Sequence, residues 1–134
     1  MVLSTHEDIV LHRADIPEPA RYYHSERAIV VRKGLLIEQE RRYLWHELEH
    51  ADRGDTAGHC DPSVEAVVER AAVRRALPLK SLRWAMGQEL ERYRVAEMLK
   101  LPEDWIQFRL DIATERERRE LRDLQEGLWL EETA

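Results

Sequence analysis

The sequence is nearly without cysteine: Cys60 is the only one in 134 residues. An internal disulfide is therefore excluded, and a lone thiol suits a reducing compartment. No apolar run approaches the ~20 residues of a membrane span. The first residues, Met1 to Asp8, lack the basic and apolar regions of a secretory signal. These absences lead to the expectation of a cytoplasmic protein with no membrane partner. Positive charge is also in deficit, with 21 Lys and Arg against 27 Asp and Glu and a net charge of −6. An acidic chain of mixed sign has no general attraction to nucleic acid or anionic lipid. Repeats and low-complexity tracts are missing as well. The length fits one domain with its own core, and nothing in it sets the oligomeric state.

What is present divides at a change of pattern. Residues 8–12, 21–24 and 28–32 are rich in branched and aromatic side chains and read as strands. Pro17 and Pro19 interrupt the first two, and Ser25-Glu26-Arg27 turns the chain between the second and third. The expectation is a small N-terminal antiparallel sheet, whose exposed edge could hold an extended peptide or merely cover a core. From Leu35 to Arg53 the pattern is helical, with Leu44, Leu48 and Ala51 as its apolar stripe and Gly54 as its stop. Arg41 and Arg42 on that helix are expected to face solvent. Asp61 as N-cap and Pro62 at the first helical position open a second helix that stops near Pro78, with Val64, Val68, Ala71 and Ala72 as its apolar stripe.

Beyond Pro78 the chain reads as helices throughout. One ends near Gly87, one before Pro102 with Leu90, Val95, Met98 and Leu99 apolar, and one carries Trp105 to Ile112. A last charged helix begins at Thr114, with Leu121, Leu124 and Leu128 on one side. Trp84, Trp105 and Phe108 are expected in the core. The stretch at about 89–112 has the shape of a helix-turn-helix. However, residues 80–134 carry 10 Lys and Arg against 13 Asp and Glu, and the presumed recognition helix opens with Glu103-Asp104. Such a face repels phosphates, so nucleic acid is an unfavoured partner and packing or substrate docking is the preferred role. The organisation expected is one compact domain, with a core over 1–78 and a helical part over 79–134 packed on it.

The chemistry concentrates in Tyr43-Leu44-Trp45-His46-Glu47-Leu48-Glu49-His50. On a helix, His46 and His50 stand one turn apart on one face, where two imidazoles can hold one metal ion. Glu47 between them lies close enough to act as general base toward water at that ion. The alternative is a solvated helix with two histidines by coincidence. Choosing between them requires a third ligand. Glu65 and Glu69 lie one turn apart on the next helix; Glu65 would complete a His-His-Glu zinc set, and Glu69 would orient a histidine ring from behind. Two solvated glutamates are the plainer reading. His59 and Cys60, on the polar loop 55–60, are also ligand types and could replace Glu65. Tyr43, Tyr23, Tyr22, His24 and His59 are unranked candidates for oxyanion or substrate contacts.

Trp45-His46-Glu47-Leu48-Glu49-His50-Ala51-Asp52-Arg53-Gly54-Asp55, followed by Glu65-Ala66-Val67-Val68-Glu69-Arg70-Ala71-Ala72-Val73-Arg74-Arg75-Ala76-Leu77-Pro78, resembles the ImmA/IrrE-type zinc metallopeptidases in a short form. The similarity covers roughly residues 20–80 well and the remainder weakly. It implies an α+β, zincin-like fold: a small antiparallel sheet, a metal-binding helix pair, then C-terminal helices. It also implies Zn2+ held by His46, His50 and Glu65, with Glu47 catalytic. Glu69 stands where the family pattern usually has Asp. The implied activity is endoproteolysis of a helix-turn-helix repressor or similar regulatory protein. A regulator that binds zinc and a protein partner without cutting it is the competing expectation.

Overall fold

Ala28-Ile29-Val30-Val31-Arg32 is the most continuously apolar stretch near the N-terminus, and it takes the centre of the sheet. The computed structural model describes residues 8–54 and 61–124. Within them the protein is α+β, a three-stranded sheet followed by six helices. The strands are β1 (Val10–Ala14), β2 (Ala20–Tyr23) and β3 (Ala28–Arg32), in the order β1-β3-β2. β2 runs antiparallel to β3, pairing Tyr22 with Ile29 and Ala20 with Val31. β1 runs parallel to β3, pairing Leu11 with Ile29 and Arg13 with Val31.

The sheet is therefore mixed, which corrects the expectation of an antiparallel one. Two prolines between β1 and β2 remove the donors a tight hairpin would use. The chain there is instead tied to the end of β3, where Arg32 donates its backbone N–H to Pro19 O at 2.8 Å and its Nη1 to Pro17 O at 2.7 Å. β2 and β3 then form the hairpin, and β1 is left to pair with β3 from the other side. The hairpin turn puts Arg27 in the left-handed region at φ 48°, a costly conformation for a long side chain. Its guanidinium is held there by Asp8 Oδ2, at 2.6 and 2.9 Å, and by the Tyr22 hydroxyl at 2.7 Å.

The first helix, α1 (Ile37–Arg53), lies across this sheet. Leu44, Leu48 and Ala51 are buried with Ile9, Ala20, Tyr22, Ile29 and Val31 in one cluster, and Leu11, Tyr43 and Trp45 pack at its margin. Truncating a fully buried leucine such as Leu48 to Ala costs about 2–5 kcal/mol in such a setting. Arg13 on β1 grips Glu40 in a two-pronged ion pair at 2.6 and 3.0 Å, fixing the first turn of α1 against the sheet. Acidic Glu38 and Glu40 at the start and basic His50 and Arg53 at the end both complement the helix dipole. Gly54 closes the helix in the left-handed conformation at φ 71°, with its N–H on Ala51 O.

The second helix, α2 (Pro62–Ala76), starts as expected, with Asp61 Oδ1 accepting from the Ser63 N–H at 2.9 Å. Its inward face is the expected one apart from Val64. Val68 and Ala72 are fully buried and Glu65 and Glu69 half-buried, whereas Val64 is 41% exposed. The carboxylates of Glu65 and Glu69 reach the histidines of α1, and Val64 lies in the first turn of α2, one turn before the buried Val68. The chain divides into two compact units, Met1–Ala72 and Val73–Ala134, with the division inside α2.

The second unit contains α3 (Leu79–Gly87), α4 (Arg92–Leu99), α5 (Glu103–Asp111) and α6 (Glu115–Leu124). α4 and α5 are joined through Lys100 in the left-handed conformation and Leu101-Pro102. Leu82, Ala85, Met86, Val95, Trp105, Ile106, Leu110 and Leu121 are buried. Trp84, at 47% exposure, and Met98 are not, against expectation, and Phe108 is only partly buried. The expected contribution of Leu124 and Leu128 falls outside the side chains described.

A residue not singled out from sequence binds this unit together. Arg109 is buried, donates Nε to Leu77 O at 2.8 Å, and forks onto both oxygens of Glu117 at 2.8 and 3.2 Å. Glu117 also closes a capping box with Thr114: each accepts from the other's backbone N–H, at 3.0 and 3.1 Å. The Arg109 hydrogen bonds hold the Glu117 carboxyl below its ordinary value, against the opposing effect of burial. A depressed carboxylate contributes stability above the unfolded value, near 4.5, and loses it as pH falls through the lower folded value. Arg109→Ala should cost roughly 3 kcal/mol by urea unfolding, because it strands both the carboxylate and the Leu77 carbonyl. Glu117→Gln should cost less and should flatten the loss of stability below about pH 4.5. Equal acid sensitivity in Glu117→Gln and the unsubstituted chain would remove this pair from the account.

Candidate metal site

α1 has two occupied faces. With Leu44, Leu48 and Ala51 committed to the sheet, the helical repeat carries Arg42, His46 and His50 to another face at spacings of four. α2 presents Glu65 and Glu69, also four apart, toward that face. The two rows interdigitate. Glu65 Oε2 lies 2.8 Å from His46 Nε2 and 3.0 Å from His50 Nε2. Glu69 Oε1 lies 2.9 Å from His46 Nδ1, and Glu69 Oε2 accepts from Arg42 Nη2 at 3.1 Å. The histidine rings meet edge to face with centroids 5.0 Å apart.

Both imidazoles thus aim the same nitrogen, Nε2, at one carboxylate oxygen. One ligand atom from each of His46, His50 and Glu65 falls within 4.8 Å of the others, so the three form a group that could hold a metal ion. The donor set fits a divalent cation of borderline softness: two imidazole nitrogens and one carboxylate. Glu69 has the position of an outer partner, accepting the Nδ1 proton of a ring whose Nε2 faces the ligand group. The structure therefore brings together His46, His50, Glu65 and Glu69. Glu47 is buried at 2% exposure, and its charge acts on His46.

The other candidates are elsewhere. Tyr43 packs at the margin of the sheet core with the Arg42 guanidinium 5.6 Å from its ring centroid. The Tyr22 hydroxyl is bonded to Arg27 and to His24 Nδ1. Tyr23 is exposed beneath Arg21. His59 and Cys60 lie outside the described residues. The expectation of a solvent-facing Arg42 is corrected: its side chain is 25% exposed and engages Glu69. The signal was present, since Arg42 stands four residues before His46 on the same stripe.

Burial works against a charged His46, but the Glu69 hydrogen bond and the charges of Glu47, Glu69 and Glu65 outweigh it and raise its affinity for a proton. Burial likewise opposes the Glu69 carboxylate, yet His46 and Arg42 keep it below its ordinary value. In the metal-free protein, His46 can therefore carry a proton on each nitrogen and bridge the two glutamates.

Comparison with family models, with curated proteins and with solved structures returned no match.

The proton and a metal ion compete for His46 Nε2. Raised above its ordinary 6.5, His46 adds stability to the metal-free chain below that pH and withdraws it as pH rises through the higher folded value. Metal affinity should run the other way, rising roughly tenfold per pH unit until His46 is neutral. Titration with Zn2+ or Co2+ should give about one ion per chain. Glu65→Ala should weaken binding by more than the ~10–100-fold typical of a lost outer partner, while Cys60→Ala leaves it nearly unchanged. The reverse result would move the third ligand to residues 55–60.

Proposed function

We propose that this protein is a zinc-dependent endopeptidase acting on a regulatory protein. The observation that carries the reading is the convergence of His46 Nε2 and His50 Nε2 on one oxygen of Glu65, with Glu47 on the same helix between the two histidines. Two imidazoles and a carboxylate form a ligand set suited to catalytic zinc, and the Glu one residue after the first histidine is the base such sites use. When bound, zinc supplies a Lewis acid for a peptide carbonyl and makes water nucleophilic near neutral pH.

The chain's own residues do the remainder. His46, His50 and Glu65 hold the ion. Glu69 keeps the Nδ1 proton of His46 and so fixes which nitrogen faces it. Glu47 takes a proton from water as the water attacks the carbonyl, and passes it to the departing amine. The substrate class, a helix-turn-helix repressor or similar regulator, rests on the resemblance to ImmA/IrrE-type peptidases. So does a zincin-like assignment of the α+β fold.

One observation favours a second reading. Glu47 and His50 retain only 2% and 3% exposure, little surface for a base and a ligand that must meet a bulky protein substrate. In that reading the ion is structural, and the protein regulates a partner by binding it.

Glu47→Gln separates the two. The substitution keeps side-chain size and leaves the ligand set intact, so zinc content and melting temperature should hold. A peptidase should lose roughly 10²–10⁴-fold in cleavage of a candidate repressor, read by mass spectrometry of the products. Full biological output from Glu47→Gln, together with loss of output on disrupting the helix-turn-helix-like segment, would reject proteolysis and leave binding.

A further inference from the structure

We propose that Arg42 is a positioning residue of the metal site, acting through Glu69 to set the orientation of His46. This rests on the reading of His46, His50 and Glu65 as a metal-ligand set. The observation is a ladder between two helices: Arg42, Glu69, His46, Glu65 and His50 alternate between α1 and α2, each rung a contact of 2.8–3.1 Å.

The reason lies in the length of Glu69. A glutamate behind a ligating histidine has one more rotatable bond than an aspartate and samples more orientations. A carboxylate that swings cannot hold an imidazole to the geometry a metal site needs. Arg42 removes that freedom by engaging the oxygen that does not serve His46. With Oε2 held at 3.1 Å by Arg42, Oε1 stays at 2.9 Å from His46 Nδ1. Nδ1 is thereby kept as the donor to Glu69, and Nε2 stays turned toward Glu65, the nitrogen a metal ion would take in place of a proton. Arg42 itself is constrained, being only a quarter exposed and lying beside the Tyr43 ring. Since Arg42 stands four residues before His46 on one helix, clamp and ligand share a rigid support.

Arg42 reaches Glu69 through Nη2, so a cation of the right reach should substitute in part. Co2+ or Zn2+ affinity would be measured for the unsubstituted chain, Arg42→Met, Arg42→Lys, Glu69→Gln and the Arg42→Met/Glu69→Gln pair. Helix content by circular dichroism would confirm that each variant is folded. Arg42→Met, which keeps the apolar stem, should weaken binding by about tenfold, and Arg42→Lys should recover part of that loss. The double variant should bind no more weakly than Glu69→Gln alone if Arg42 acts on the metal site through Glu69. In the Zn2+-loaded protein, nitrogen-15 chemical shifts should show His46 as a single Nδ1–H tautomer in the unsubstituted chain and as a mixture in Arg42→Met, a change that lost helix stability alone would not produce.

Unchanged metal affinity and tautomer in folded Arg42→Met would overturn the proposal while leaving the ligand set standing. Additive losses in the double variant would overturn it too, by showing that Arg42 acts independently of Glu69. Absence of metal binding by the unsubstituted chain would instead remove the underlying reading, and the proposal with it.

Discussion

Two glutamates and two histidines share the space between α1 and α2, and no one of them can be there alone. Isolated charges and unmatched polar groups taken out of water cost several kcal/mol unless each finds a partner. Here each group provides that partner for the next. Glu65 lies against both imidazoles, Glu69 against one of them, and Arg42 closes the far end. This mutual requirement sets the angular position of both helices. α1 must turn His46 and His50 toward α2, and that leaves Leu44, Leu48 and Ala51 for the sheet. α2 must turn Glu65 and Glu69 toward α1, and that leaves Val67, two residues from each and so on the opposite side, in water. The exposure of that valine is thus a consequence of the polar ladder.

The sheet serves the same constraint from the other side. β3 offers Ile29 and Val31, both fully buried, as a flat apolar seat for α1. The Arg13–Glu40 pair pins one end of the helix, and Arg27 approaches the Ala51 carbonyl at the other, at 3.5 Å. A helix fixed at both ends by the sheet presents its histidines from a rigid support, a better basis for ligand geometry than a loop.

Most of the architecture was legible because it rests on local rules. Periodicity separates strands from helices, Gly54 and Asp61-Pro62 mark helix ends, and a spacing of four places His46 and His50 together. The pairing of Glu65 with those histidines was legible as a requirement for a third ligand. The strand order was less so, because β1 and β2 are neighbours in sequence but not in the sheet. Only the position of the prolines hinted that a direct hairpin would fail. Arg42 and Arg109 were missed for one reason. Arginine is read as a surface residue by default, and its burial depends on partners on other elements, Glu69 for one and the Leu77 carbonyl with Glu117 for the other. In both cases the charged group follows the helical repeat of its neighbours, so its inward direction was in the sequence while its partner was not.

The formal charges of the ladder bear on what it is built to hold. With both imidazoles neutral, Arg42 contributes one positive charge and Glu47, Glu65 and Glu69 three negative ones, a balance of +1 − 3 = −2 around His46 and His50. A partly buried surplus of that sign favours a cation between the two helices. Protonating His46 offsets half of the surplus, and the net pull of three carboxylates on that ring is what raises its proton affinity despite burial. A divalent cation among His46, His50 and Glu65 would offset all of it. Such an ion would leave Glu69 and Arg42 paired as they are, since Nδ1 keeps its proton and only Nε2 changes partner. In this count a divalent ion brings one positive charge more than the proton it would displace from His46 Nε2.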